Sequence, residues 1–261
     1  MTDLPHPAAR PNVRTTTLAL TPVLAAALVG WAVAVEQMRG MDAGPGTDLG
    51  SFAWFVGIWL TMTMAMMLPS VAPATLMFSY LGRASQATLF VAGYLLAWAA
   101  FGVAAYIVSR LARDAAPAFV AWDRRGPWIA GAALAGAGVY QLTPLKTACL
   151  RHCRSPLHFL MQRRGGRLGS VRAGLGHGWY CVGCCAGLML ALFALGIMSV
   201  FWMAVAAVVI LVEKLLPGGE TFARVLAVPL IALGAWIAVS PQNLPGLHQP
   251  DRMPAQMGMP R

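Results

Sequence analysis

Gly176-His-Gly-Trp-Tyr-Cys-Val-Gly-Cys-Cys-Ala-Gly-Leu-Met189 opens an apolar run that extends to residue 196. The run carries no charged residue. It has the ~20-residue length that a helix needs to cross the hydrocarbon core of a bilayer. It also holds three of the five cysteines, Cys181, Cys184 and Cys185. The other two, Cys149 and Cys153, lie just upstream in Cys149-Leu-Arg-His152-Cys153. A membrane helix has no structural need for clustered thiols. The stretch therefore points to a membrane helix for the fold and to the cysteines for the chemistry.

The whole chain repeats the first of these messages. It is 58% hydrophobic and only 11% charged, whereas a soluble domain is about 25% charged. Apolar runs cover 18–35, 52–80, 87–108, 127–145, 175–196, 197–216 and 222–240. They predict an all-α polytopic transmembrane bundle of about seven spans. Pro69 and Pro73 predict that the second span is broken. Residues 110–126 read as an interfacial loop or surface helix, and 146–173 as the most basic loop. One membrane domain is expected over 18–240. It is flanked by a polar tail, 1–17, and a disordered tail, 241–261, rich in Pro and Met.

The net charge of +10 does not indicate a nucleic-acid partner. The basic residues sit between apolar runs, as topology signals and lipid-headgroup contacts do. With the N-terminus inside, twelve Lys and Arg fall on the inner side and seven on the outer. The expected placement is a multi-pass inner-membrane protein with a cytoplasmic N-terminus and the lipid bilayer as its surround. The four arginines of 110–125 pull the other way.

An odd, clustered set of five cysteines is not a secreted disulfide framework. Cys149 and Cys153 are i, i+4 and share a face if that stretch is helical. Cys181 shares a face with Cys184 or Cys185 for the same reason. The two pairs lie on neighbouring elements that open to the same side. Cys181 is expected about two turns inside the fifth span. Thiolates in that arrangement bind soft or borderline ions, copper(I) or zinc. His152 and His177 are candidates to complete the shell. Lys146 and Arg151, beside Cys149, favour its thiolate.

Two other readings compete. Free cysteine is also a common small buried residue. Cys181-Val-Gly-Cys184 is also a Cys-x-x-Cys at a helix start, where the dipole would lower a thiol pKa as in thiol–disulfide enzymes.

Several motifs occur together. They are Trp59-x-x-Met62-x-x-Ala-Met66-Met67-x-Pro69, Leu145-Lys146-x-x-Cys149-Leu-x-x-Cys153-Arg-x-Pro156, His177-Gly-x-Tyr180-Cys181-x-Gly-Cys184-Cys185 and Glu213-Lys214. In combination they resemble the bacterial family of predicted metal-binding integral membrane proteins, from about residue 50 to 240. The resemblance implies a metal ligand set drawn from the cysteines. It names neither the metal nor a reaction.

Met62, Met66 and Met67 offer thioether sulfur, a soft ligand for copper(I). Singly, each is as readily a gap-filler between helices. Met189 continues the face of Cys181 and Cys185. A path Cys181, Cys185, Met189 would suit stepwise exchange of copper(I). Glu213 is a carboxylate within an apolar run and so a functional candidate. It could act as a metal ligand, a proton acceptor or the ion partner of Lys146. Otherwise it is an interfacial charge beside a snorkelling Lys214.

No phosphate loop, Ser-His-Asp triad or zincin helix occurs, so no enzyme class is indicated. The leading expectation is binding of a soft metal, copper(I) ahead of zinc, for transport, delivery or sensing. A metal-delivering or metal-accepting protein would then be a partner. The alternatives are a membrane thiol–disulfide oxidoreductase using Cys181 and Cys184, and a structural zinc site.

Overall fold

The computed structural model describes residues 13–38, 50–80, 84–115, 122–155, 166–195 and 199–239. Every element among them is a helix. In chain order they are α1 Val13–Met38, α2 Phe52–Tyr80, α3 Ala84–Ala115, α4 Trp122–Gln141, α5 Pro144–Arg154, α6 Arg167–Leu195, α7 Val200–Leu215 and α8 Gly219–Val239. The fold is an all-α bundle.

Seven long helices stand where the seven apolar runs are. Five of them, α1, α2, α3, α6 and α8, are long and apolar enough to cross a membrane. The other two fall short of the expected seven. With 16 residues, α7 reaches only ~24 Å at 1.5 Å per residue, less than a ~30 Å hydrocarbon core. In α4 the apolar stretch is diluted by glycine and alanine and preceded by Asp123-Arg124-Arg125.

Other boundaries also differ from expectation. α1 begins at Val13, inside the supposed polar tail. α3 continues to Ala115 and α4 starts at Trp122, so most of 110–126 is helix. The basic 146–173 segment is not one loop. Lys146 to Arg154 belong to α5, and α6 has already started at Arg167. Apolar hydropathy marks only the lipid-length core of a helix, and polar first and last turns escape it. α2 carries both prolines inside one continuous helical segment. Pro73 lies on its exposed side and Pro69 is half-buried, so the expected break does not interrupt the helix. The tails 1–12 and 240–261, with His6, His248 and the C-terminal methionines, lie outside the described residues.

The inner helices are α2 and α6. Their apolar windows are 61% buried, against 22–28% for α1, α3 and α8. α6 packs against α3, α4, α5 and α7. Small residues let it approach α3. Ser170, Gly174 and Gly178 are four apart and so share one face. A Cβ on Gly174 would strike the Phe90 carbonyl, and one on Gly93 would strike that of Val171.

Two short turns place the remaining pieces. After α4, the backbone N–H of Leu142 and Thr143 bond to the carbonyls of Val139 and Tyr140. Thr143 then caps α5 by accepting from the Lys146 N–H at 3.2 Å, with Pro144 in the first turn, where its missing donor costs nothing. Between α7 and α8 the chain turns through Gly218 at φ 83°, which only glycine adopts freely.

Candidate metal centre

The α4–α5 turn folds the short α5 onto α6, and this brings the two cysteine groups together. α5 is helical, so Cys149 and Cys153 do lie one turn apart on it. On α6, the sulfurs of Cys181, Cys184 and Cys185 all lie within 4.8 Å of one another. Cys184 Sγ is 3.5 Å from Cys185 Sγ and 3.6 Å from Cys153 Sγ. The three α6 thiols are buried, with at most 1% exposure, while Cys153 is half-buried. None of the five is in a disulfide. Four sulfurs from two helices thus form one cluster, with Cys153 on its accessible side.

Cys149 takes a different position. Its Sγ packs over Gly183, where an added Cβ would come within 2.6 Å of it. That glycine allows α5 to lie close on α6. The Gly183 carbonyl in turn accepts from the Tyr140 hydroxyl at 2.5 Å. Burial pushes the Cys149 thiol up, and this outweighs the opposing pull of Lys146. Arg151 does not help, since its guanidinium is turned outward to Glu220 at 2.8 and 2.9 Å. The expected thiolate-favouring surround of Cys149 is therefore not what the fold provides. Cys153 is likewise held well above the ordinary thiol range, by burial first and by the neighbouring Cys181 second.

The helix-start reading of Cys181-Val-Gly-Cys184 is overturned. α6 begins at Arg167, so Cys181 lies nearly four turns along it, not two. A helix dipole acts within its first turn and does not reach these thiols. Cys181 is met instead by two side chains from other helices. The Tyr94 hydroxyl is 3.0 Å from its Sγ, and Lys214 Nζ is 2.9 Å away. Lys214 also donates to Ser70 Oγ at 3.2 Å. Its ammonium therefore points into the bundle rather than snorkelling out.

Glu213, the preceding residue, faces elsewhere. Lys146 Nζ is 2.7 Å from Glu213 Oε2, both side chains being 1% exposed. Gln141 Nε2 donates to Oε1 at 2.9 Å. Lys146 also donates to the Cys184 carbonyl. With both oxygens engaged, Glu213 serves as the ion partner of Lys146 and not as a thiol-site ligand. Arg154 donates to the Glu213 carbonyl at 2.7 Å. Gly219 makes room for this, since a Cβ there would meet both groups.

The remaining candidates fall around the cluster. His177, 4% exposed, lies one turn before Cys181, with its ring 5.7 Å from that of Phe90 and 5.9 Å from that of Tyr94. His152 stacks on Tyr180 at 4.5 Å and 4°. Its Nδ1 is 2.8 Å from the Ala148 carbonyl. A carbonyl can only accept, so Nδ1 is the donor in this contact. Met62, Met66, Met67 and Met189 are at most 5% exposed and belong to the same buried cluster as the α6 cysteines.

Sequence reasoning missed Tyr94, Ser70 and Gln141, because a single polar residue in an apolar helix carries no pattern. It left the direction of Lys214 open, and the fold turns it inward.

The donor chemistry is that of a soft-metal site. Cysteine sulfur is a ligand of copper(I) and zinc, and a cluster this close can place two or more sulfurs on one ion. Residues 56–237 match the family described as PpoB2, copper chaperone. The chain belongs to that family. The match agrees with the metal-binding resemblance of its motifs and runs from within α2 to within α8. No curated protein and no solved structure matches the chain.

Proposed function

We infer that this PpoB2-family chain is a membrane-embedded copper carrier. It takes up Cu(I) on its buried thiols and delivers it to an accepting protein. The observation that carries this reading is the sulfur cluster, Cys181, Cys184 and Cys185 within 4.8 Å with Cys153 3.6 Å from Cys184. The bilayer reading rests on five helices of spanning length. It is supported by apolar side chains on their outward faces, such as Leu28, Val29, Val225 and Val228, each at least 60% exposed, which suit lipid rather than water.

Copper is the cargo here. Binding by two thiols replaces two S–H bonds with two S–Cu bonds and releases two protons. Cys153, the half-buried thiol, receives the ion and exchanges it with Cys184. From there it passes to Cys181 and Cys185, with Met189 one turn further along α6. Each step trades one sulfur ligand for another, so the ion is never bare in an apolar interior, where a lone charge is very costly. The inner-membrane placement and a cytoplasmic N-terminus belong to this reading.

The test is copper stoichiometry and affinity in detergent under reducing conditions, using bathocuproine disulfonate as competitor. The wild type should bind Cu(I), and a Cys181→Ser/Cys184→Ser variant should lose it. Absence of Cu(I) uptake by the wild type would sink the reading.

One observation favours a second reading. Four sulfurs from α5 and α6 is also the donor count of a structural zinc site. That reading requires stoichiometric zinc in the purified protein and unfolding when it is removed.

A further inference from the structure

Lys214 is a half-buried charged residue whose head group reaches into the bundle and which the copper reading does not use. Its ammonium lies 2.9 Å from Cys181 Sγ and 3.2 Å from Ser70 Oγ. Those two residues are 0% and 9% exposed. Lysine at the end of an apolar helix ordinarily turns its head outward, and here the head turns inward.

Lys146, which is fully buried, is matched by Glu213 at 2.7 Å. Among the described residues, Lys214 has no carboxylate in ion-pair range. Among the described residues, this half-buried ammonium thus faces the thiol cluster with no carboxylate beside it. An ammonium held 2.9 Å from a fully buried sulfur favours a negative charge there, so the geometry suits an anion at Cys181.

We propose that Lys214 supplies the counter-charge of the copper centre, balancing the single negative charge of a Cu(I) ion held by two thiolates. The proposal rests on the copper reading and adds what lets such a unit remain in an apolar interior. A monovalent ion with two thiolates carries one negative charge. Paired with the ammonium, it becomes neutral overall. The Tyr94 hydroxyl, 3.0 Å from the same sulfur, is a second donor to the thiolate. Lys214 is a positioning and charge-balancing residue. The ligands remain the sulfurs.

Hg(II) provides the control. It also binds two thiolates in a linear arrangement, but the resulting unit is neutral. Lys214→Leu, which removes the charge without adding a sulfur ligand, should therefore weaken Cu(I) and leave Hg(II) unaffected. Full-length protein in detergent is titrated with Cu(I) against bathocuproine disulfonate and with Hg(II) against glutathione. A charge-assisted hydrogen bond of ordinary strength corresponds to a Cu(I) loss of about 10- to 100-fold. Lys214→Arg should recover most of it.

Unchanged Cu(I) affinity in Lys214→Leu overturns the proposal. So does an equal weakening of both ions, which would mean a structural role. If the leucine variant does not fold, Lys214→Gln, which keeps a donor without the charge, gives the same comparison. Failure of the copper reading is seen separately, as absence of Cu(I) uptake by the wild type.

Discussion

Lys146 Nζ on α5 lies 2.7 Å from Glu213 Oε2 on α7, with both side chains 1% exposed. The pair ties the helix that carries Cys149 and Cys153 to the one that carries Lys214. Removing one partner strands the other in the interior. Glu213→Ala should destabilise the protein by about 3–5 kcal/mol. The double variant Lys146→Met/Glu213→Met leaves no stranded charge and should regain much of that loss. Thermal unfolding of the three proteins in one detergent checks this. A double variant less stable than Glu213→Ala would contradict it.

Cys153 and Cys184 approach to 3.6 Å across the α5–α6 contact, while a disulfide requires about 2.0 Å. A small shift closes the gap. Diamide, which takes up the two thiol hydrogens, should cross-link these two residues rapidly in metal-free protein. Preloading with Cu(I) should slow the reaction. Peptide mass spectrometry identifies the linked pair, and a dominant Cys149–Cys184 link would show that α5 sits differently.

Gly183 leaves the space that Cys149 fills. Gly183→Ala would bring a Cβ within 2.6 Å of Cys149 Sγ, so α5 must lift. Overpacking of this kind costs about 1–3 kcal/mol, and the diamide link between Cys153 and Cys184 should slow. Adding Cys149→Ala removes the clash and should restore both stability and cross-linking. Failure of that rescue would mean that Cys149 contributes more than bulk.

Gly174 and Gly136 are both helical glycines with opposite surroundings. A side chain at Gly174 strikes the backbone of Phe90 on α3, whereas at Gly136 nothing lies within 4 Å. Gly174→Leu should abolish recovery of a monodisperse protein. Gly136→Ala should be neutral or stabilise by up to ~1 kcal/mol, since alanine is the better helix former. Gel filtration and thermal unfolding of the two variants make the comparison.

Much of the architecture was legible because apolar length is a local property. The seven apolar runs correspond to seven long helices, and the clustering of cysteines marked where the sulfur centre stands. Helix ends were less legible. The turns of α3, α5 and α6 outside the apolar core are polar, and hydropathy does not distinguish a polar helical turn from a loop. The Thr143-Pro144 cap that starts α5 was a readable signal, since a capping hydroxyl before proline marks a helix start.

By itself, the sequence determined that the chain is an all-α bundle with several helices of membrane-spanning length, and that its soft-metal donors lie in two short segments. Those features follow from composition and from spacing along one helix. Only the tertiary structure decided which donors meet and what surrounds them. Cys153 joins the α6 thiols while Cys149 packs over Gly183. Glu213 turns to Lys146, and Lys214, its neighbour, turns to Cys181. Adjacent helical residues point about 100° apart, so which partner each one finds depends on the helices packed on either side. That packing is set by close backbone approach at Gly174 and Gly178 and by the Cys149 side chain over Gly183, and spacing along the chain does not encode it.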